Sequence, residues 1–255
     1  MILCLDVGNI TTTIGVVDDE RLVHTARLRT DNFTADELGV LLTQILDRRG
    51  VARGELHGAI CASVVPALRY TVLAACERYL ELDCLWVGKG MRTGLKLRVD
   101  NPREVGADRI CNAVAAAHRW GGPVVVMDFG TATTVDAVNH KNEFVGGLIA
   151  PGFRVAGEAL FQHATQLPRV EVAPHEGSVI GKNTIDAMQA GLWHATLGSV
   201  NHLARVMREA LDPAARVVAT GSYGSLFGPA SEEIAEVDRF LTLRGMALLY
   251  ARNAG

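Results

Sequence analysis

One short pattern occurs twice in this chain, and both times an apolar run leads into it. Residues 2–6 read I-L-C-L-D and continue V-G-N-I-T-T; residues 124–128 read V-V-V-M-D and continue F-G-T-A-T-T. Written as Asp6-x-Gly8-x-x-Thr11-Thr12 and Asp128-x-Gly130-x-x-Thr133-Thr134, the copies stand 122 residues apart in a chain of 255. A self-match near half the chain length reads as a duplication. A chain of this length can build two lobes, each with its own core. Strand-like segments follow each copy, residues 14–17 and 22–28 in the first and 135–138 and 144–149 in the second. Turn residues divide them, Asp18-Asp19-Glu20 and His140-Lys141-Asn142, so each half opens as a strand meander.

Helical signals come next. Thr34-x-x-Glu37 is a capping box, and Leu38, Leu41, Leu42, Ile45 and Leu46 recur at helical spacing before Gly50. A strand over residues 59–65 ends at Pro66, and a helix follows to about residue 82. Asn101-Pro102-Arg103-Glu104 marks a helix start, with asparagine as cap and proline at the first position, and that helix should run to about Trp120. Gly121-Gly122-Pro123 breaks the chain there. Beyond the second copy, residues 184–210 are helical in pattern, 217–219 form a strand, and a helix closes the chain. The expected architecture is α/β: two βββαβα-type halves, residues 1–121 and 122–255, around a central cleft.

Bulk composition narrows the function classes. Twenty-five basic against 28 acidic side chains give a net charge of −3, and aromatics are 5%, so neither nucleic-acid binding nor an anionic membrane is indicated. The five cysteines, Cys4, Cys61, Cys76, Cys84 and Cys111, show no C-x-x-C spacing. They read as free thiols in a reducing compartment rather than as a disulfide framework or zinc site. With no signal-peptide pattern at Met1 and no run of about 18 apolar residues, a cytoplasmic protein without a membrane span is expected. The eight histidines lack metal-ligand spacing, and neither G-x-x-x-x-G-K-[ST] nor G-x-S-x-G occurs.

A strand ending in Asp-x-Gly suits phosphate handling. Glycine lets backbone approach phosphate oxygens, and the amides and hydroxyls of Asn9, Thr11, Thr12 and Thr13 can donate to them. A strand-end aspartate can hold a hard cation directly or through water. Asp108-Arg109, near a helix N-terminus, admits two readings. It is a surface pair satisfying the helix dipole, or a proton acceptor beside a carboxylate-binding fork. The residues alone leave both open.

Across nearly its whole length the sequence resembles the type III pantothenate kinases. The resemblance is carried by D-V-G-N at 6–9, T-A-D-E-L at 34–38, S-V-V-P at 63–66 and N-P-R-E-V-G-A-D-R at 101–109. It continues with D-F-G-T-A-T-T at 128–134, G-G-L-I-A-P-G at 146–152, L-P-R-V-E at 167–171, I-G-K-N-T at 180–184 and L-T-L-R-G at 241–245. It implies a duplicated actin-like, ribonuclease H-like fold and transfer of the ATP γ-phosphate to the pantothenate hydroxyl, opening coenzyme A biosynthesis. It implies Asp108 as general base, with Val99, Gly106, Ala107, Asp108, Arg109 and Thr184 at pantothenate. The loop of Asp6, Val7, Gly8, Asn9, Ile10, Thr11, Thr12 and Thr13, together with Thr131, would hold ATP as its magnesium complex. Asp128 would bind a monovalent cation, potassium or ammonium, and a homodimer would complete the pantothenate pocket.

The sequence departs from the family pattern at four places. Ile10 replaces a loop threonine, Val99 a tyrosine, Ala164-Thr165 displaces a pocket threonine, and Thr220-Gly221-Ser222 replaces T-G-G. These motivate two rivals: a catalytically impaired paralogue with a binding or regulatory role, and a kinase for another small hydroxy acid.

Overall fold

A computed structural model describes residues 1–254 of the chain. Two compact units emerge: Met1–Lys96 with Asp100–Arg119 and the segment from Leu241 onward, and Leu97–Val99 with Trp120–Phe240. In the first unit β1 (Ile2–Val7), β2 (Thr11–Asp18) and β3 (Arg21–Arg29) form an antiparallel meander. After α1 (Ala35–Arg48), β4 (Gly58–Ser63) pairs parallel to β1. α2 (Arg69–Ala75) leads to β5 (Cys84–Trp86), giving the order β3-β2-β1-β4-β5. Leu3, Leu5 and Val7 alternate onto one face of β1, where α1 covers them with Leu38, Leu42 and Leu46 and α2 with Val72 and Ala75. The period of two sends Cys4 and Asp6 to the opposite face.

The second unit repeats this plan. β7 (Val124–Phe129), β8 (Ala132–Val138) and β9 (Glu143–Pro151) form the meander, and α4 (Phe153–His163) and α5 (Thr184–Leu211) follow. β10 (Arg216–Thr220) pairs parallel to β7, and α6 (Gly224–Ala230) precedes β11 (Glu236–Val237). The order is β11-β10-β7-β8-β9, extended past β9 by β6 (Lys96–Leu97). Phe227, fully buried, stacks on Trp193 (5.1 Å) and Phe129 (5.4 Å) and meets Phe153 edge-on (5.2 Å). One aromatic cluster thereby ties α4, α5 and α6 to the end of β7.

Register exposes the duplication more finely than the letters do. Val7 lies opposite Thr12, and Phe129 opposite Thr133. The two-residue turn Gly130-Thr131 replaces the three residues Gly8-Asn9-Ile10, so Thr12 corresponds to Thr133, 121 residues on, and not to Thr134. The β-bulges obey the same offset, after Val16 in the first meander and after Ala137 in the second.

Three elements differ from the sequence expectation. The segment after Asn101 makes only a 3-10 turn, Pro102–Glu104, and the helix α3 (Ala107–Trp120) begins after Gly106. The helix expected to reach residue 82 ends in a π-turn, Cys76–Leu80, closed by Glu81 in the left-handed region (φ 57°). The closing helix α7 (Leu241–Asn253) packs on β1, β2 and β4, so it belongs to the first unit and not to a domain spanning 122–255. The reason is close fit. A Cβ on Gly245 would stand 2.0 Å from the Cys111 carbonyl oxygen, and Thr242 Oγ1 bonds Asn112 Oδ1 at 2.9 Å. All five cysteines are free thiols, and no helix among the described residues is long and apolar enough to cross a membrane.

Candidate functional site

The first unit places its chemistry where β1 ends. Asp6 is half-buried, one residue before β1 gives way to the turn, and Thr13 is its partner on β2. Cross-strand partners share a face, so Asp6, Thr11 and Thr13 line one side. Thr12 lies on the other. It is 4% exposed, with its hydroxyl 2.9 Å from that of Thr30, so its side chain serves the core and not the turn. The turn itself is held by Gly8 N–H donating to the Thr11 carbonyl (3.1 Å) and Thr30 N–H to the Ile10 carbonyl (2.8 Å). Asn9 is exposed, and Val7 is buried.

Asp108 stands in the first turn of α3, where backbone N–H groups lack helical partners. Its Oδ1 accepts the Arg109 N–H at 2.8 Å and folds back over Gly106, where a Cβ would stand 2.5 Å from that oxygen. Gly106 thus leaves the space the carboxylate occupies. One turn further on, fully buried Cys111 reports on the surroundings. Burial pushes its thiol pKa well up, and the negative charges of Asp6 and Asp108 push it further. The charges of the strand-end aspartate and of the helix-start aspartate thus both act on that thiol. Ala107 and Arg109 are half-buried beside them.

The second unit builds a different environment from the same plan. Asp128 is half-buried, opposite Thr134 on β8 and Thr220 on β10. Gly221 has φ +85°, and a Cβ there would lie 2.2 Å from Asp128 Oδ1. Only glycine meets both conditions. Ser222, exposed and outside the positive-φ region, needs no such freedom, so T-G-S keeps the glycine that matters. Thr131 is exposed in the turn, and its carbonyl accepts the N–H of Gly152, the residue capping α4 (3.2 Å). A Cβ on Gly152 would stand 2.3 Å from that oxygen, so the start of α4 is pressed against the Asp-x-Gly turn. The sequence placed Gly152 and Thr220 inside quoted motifs but gave neither a role at the site, because that role depends on what packs against them.

The remaining expected site residues are spread over the second unit. Val99 lies 3.8 Å from where a Gly146 Cβ would be, beside β9. Thr184 is the exposed first residue of α5, whose cap Asn183 accepts the Asp186 N–H at 2.9 Å. Ala164 terminates α4, leaving Thr165 exposed. Among the described residues no group of three or more His, Cys, Asp or Glu side chains is arranged to hold a metal.

The family described as type III pantothenate kinase matches residues 2–206. The type III pantothenate kinase of Bacillus cytotoxicus is 42% identical over 255 residues, covering 100% of this chain and 97% of that protein. Among solved structures, the activator of the 2-hydroxyisocaproyl-CoA dehydratase from Clostridium difficile, with bound ADPNP, is similar with a TM-score of 0.55 at 13% identity, covering 99% of this chain and 94% of that one. Component A of the (R)-2-hydroxyglutaryl-CoA dehydratase from Acidaminococcus fermentans gives 0.57 at 13%, covering 98% and 96%. At such identity the likeness is one of fold alone, the duplicated actin-like α/β fold.

Proposed function

The chain belongs to the type III pantothenate kinases, which phosphorylate pantothenate with ATP at the first step of coenzyme A biosynthesis, and from that premise we propose how its own residues divide the work. Asp108 is the general base. It takes the proton of the pantothenate hydroxyl while that oxygen bonds to the γ-phosphorus and the bond to the bridging oxygen of ADP breaks. The placement of Asp108 in the first turn of α3, its carboxylate folded over Gly106, carries this reading, because it holds a proton acceptor at a helix start whose free N–H groups favour an anionic substrate. Arg109 pairs with the pantothenate carboxylate. Gly106 and Ala107 leave room at the helix start, and Val99 and Thr184 line the same substrate.

ATP is held from the first unit by the turn of residues 6–13, through its amides and the hydroxyls of Thr11 and Thr13. Asp6 is suited to the divalent metal of the nucleotide, directly or through water. Thr131 adds a hydroxyl, and the nearby start of α4 offers the positive end of a helix dipole. Asp128 is assigned the monovalent cation, potassium or ammonium. Its partner Thr220 carries a fully buried hydroxyl with no hydrogen-bond partner, a donor set that fits such an ion. When bound, the cation supplies positive charge beside a polyanion whose charge shifts during transfer.

A homodimer is part of the proposal. The second unit leaves Ile149 (67%), Val179 (68%), Ile180 (78%) and Ile185 (50%) exposed, apolar side chains that a second subunit would cover. Thr184 is the neighbour of Ile185 at the start of α5, within the segment such a contact would cover. Five unpaired thiols suit the reducing cytoplasm. ADP release from purified protein, with ATP, Mg2+ and pantothenate, should fall roughly 10²–10⁴-fold in Asp108→Asn. Undiminished turnover in that variant would remove Asp108 from the role.

A further inference from the structure

Thr220 is buried to 0% exposure at the end of β10, yet its Oγ1 has no hydrogen-bond partner. A buried hydroxyl without a partner is destabilising, and valine would fill the same shape without that cost. The parallel register sets Thr220 directly opposite Asp128, so both side chains leave the sheet on one face, from strands about 4.8 Å apart. On the other side of Asp128, the Thr134 hydroxyl is already engaged with Asp136 (3.4 Å).

The internal repeat supplies a control. In the first unit the residue opposite Asp6 on β4 is Ala62, fully buried and without an oxygen. The hydroxyl thus accompanies only the aspartate assigned to the cation. Two oxygens that coordinate one large monovalent ion stand farther apart than a hydrogen bond permits, which suits a hydroxyl that does not bond the carboxylate beside it.

We propose that the Thr220 hydroxyl oxygen is a second protein donor, with the Asp128 carboxylate, to the monovalent cation. Its lone pairs serve either ion, by coordinating potassium or by accepting an ammonium N–H. The inference rests on the assignment of Asp128 to that cation.

The test is thermal unfolding of wild type, Thr220→Val, Thr220→Ser and Asp128→Asn in potassium chloride, against tetramethylammonium chloride of equal ionic strength. The half-activating potassium concentration of each is measured alongside. Wild type should be stabilised by potassium. Thr220→Val should unfold no lower than wild type without potassium, while its potassium midpoint rises roughly 10–100-fold. Thr220→Ser should stay near wild type. An unchanged midpoint in Thr220→Val, with Asp128→Asn unresponsive, would overturn the Thr220 assignment and leave Asp128 standing. A wild type indifferent to potassium, or an Asp128→Asn that responds normally, would overturn both. If the valine variant fails to fold, Thr220→Ala gives the same readout.

Discussion

At the scale of single residues, the decisive question is which way a side chain points. The repeated letters D-x-G-x-x-T-T were legible, and they located both strand-end aspartates. They could not reveal that one turn is a residue shorter, because turn length is a property of backbone closure and not of motif spelling. Thr12 consequently looked like a phosphate donor, while in the fold it bonds Thr30 inside the core. We expect Thr12→Val to cost about 0.5–1.5 kcal/mol of stability and to leave KM for ATP near wild type. Thr13→Val, on the Asp6 face, should raise KM for ATP with little change in unfolding; the reverse pattern would reassign the face. Gly221→Ala makes a sharper case. A methyl group at φ +85° meets Asp128 Oδ1, so both backbone strain of about 1–3 kcal/mol and a displaced carboxylate are expected. Ser222→Gly should be nearly silent in both unfolding and turnover.

At the scale of elements, local rules worked where they had a specific partner to name. The capping box forms as read: Thr34 Oγ1 accepts the Glu37 N–H (3.2 Å), and Glu37 Oε2 accepts the Thr34 N–H (2.8 Å). The Thr34 backbone bond, and then its hydroxyl, hold the Glu37 pKa below the usual carboxylate range. A lowered folded pKa means this contribution is full above the unfolded value and fades as pH falls through the folded one. Thr34→Ala should therefore lower the unfolding midpoint at neutral pH and matter less in acid. Elements with no periodic signal were not legible: β5, β6 and β11 span three residues or fewer, and α6 contains Pro229. α4 and α6 are instead secured by tertiary packing. Phe227→Ala should cost about 3–5 kcal/mol, because Trp193, Phe129 and Phe153 all lose a ring partner. A loss under 1 kcal/mol in chemical denaturation would show that the cluster does not organise this unit.

At the scale of the whole molecule, the duplication was the most legible feature and the closing helix the least. A terminal helix follows the second half in sequence. Its destination is set by what it can bury, and Leu241, Leu243, Met246 and Leu249 are buried in the first unit. The candidate site was legible as a set of motif residues, but not which of them the fold would group, since Asp6 and Asp108 are 102 residues apart and stand on different elements, the end of β1 and the start of α3. The proposed homodimer belongs to this scale too. Ile180→Asp should shift the protein from dimer to monomer by light scattering, and raise KM for pantothenate more than KM for ATP. A variant that stays dimeric would move the interface elsewhere. The central claim, that Asp108 takes the proton from pantothenate, is tested most directly by single-turnover phosphoryl transfer at saturating pantothenate and MgATP, comparing wild type with Asp108→Asn. We expect pantothenate binding to persist and the transfer rate to fall roughly 10²–10⁴-fold; full binding with an undiminished transfer rate would contradict it.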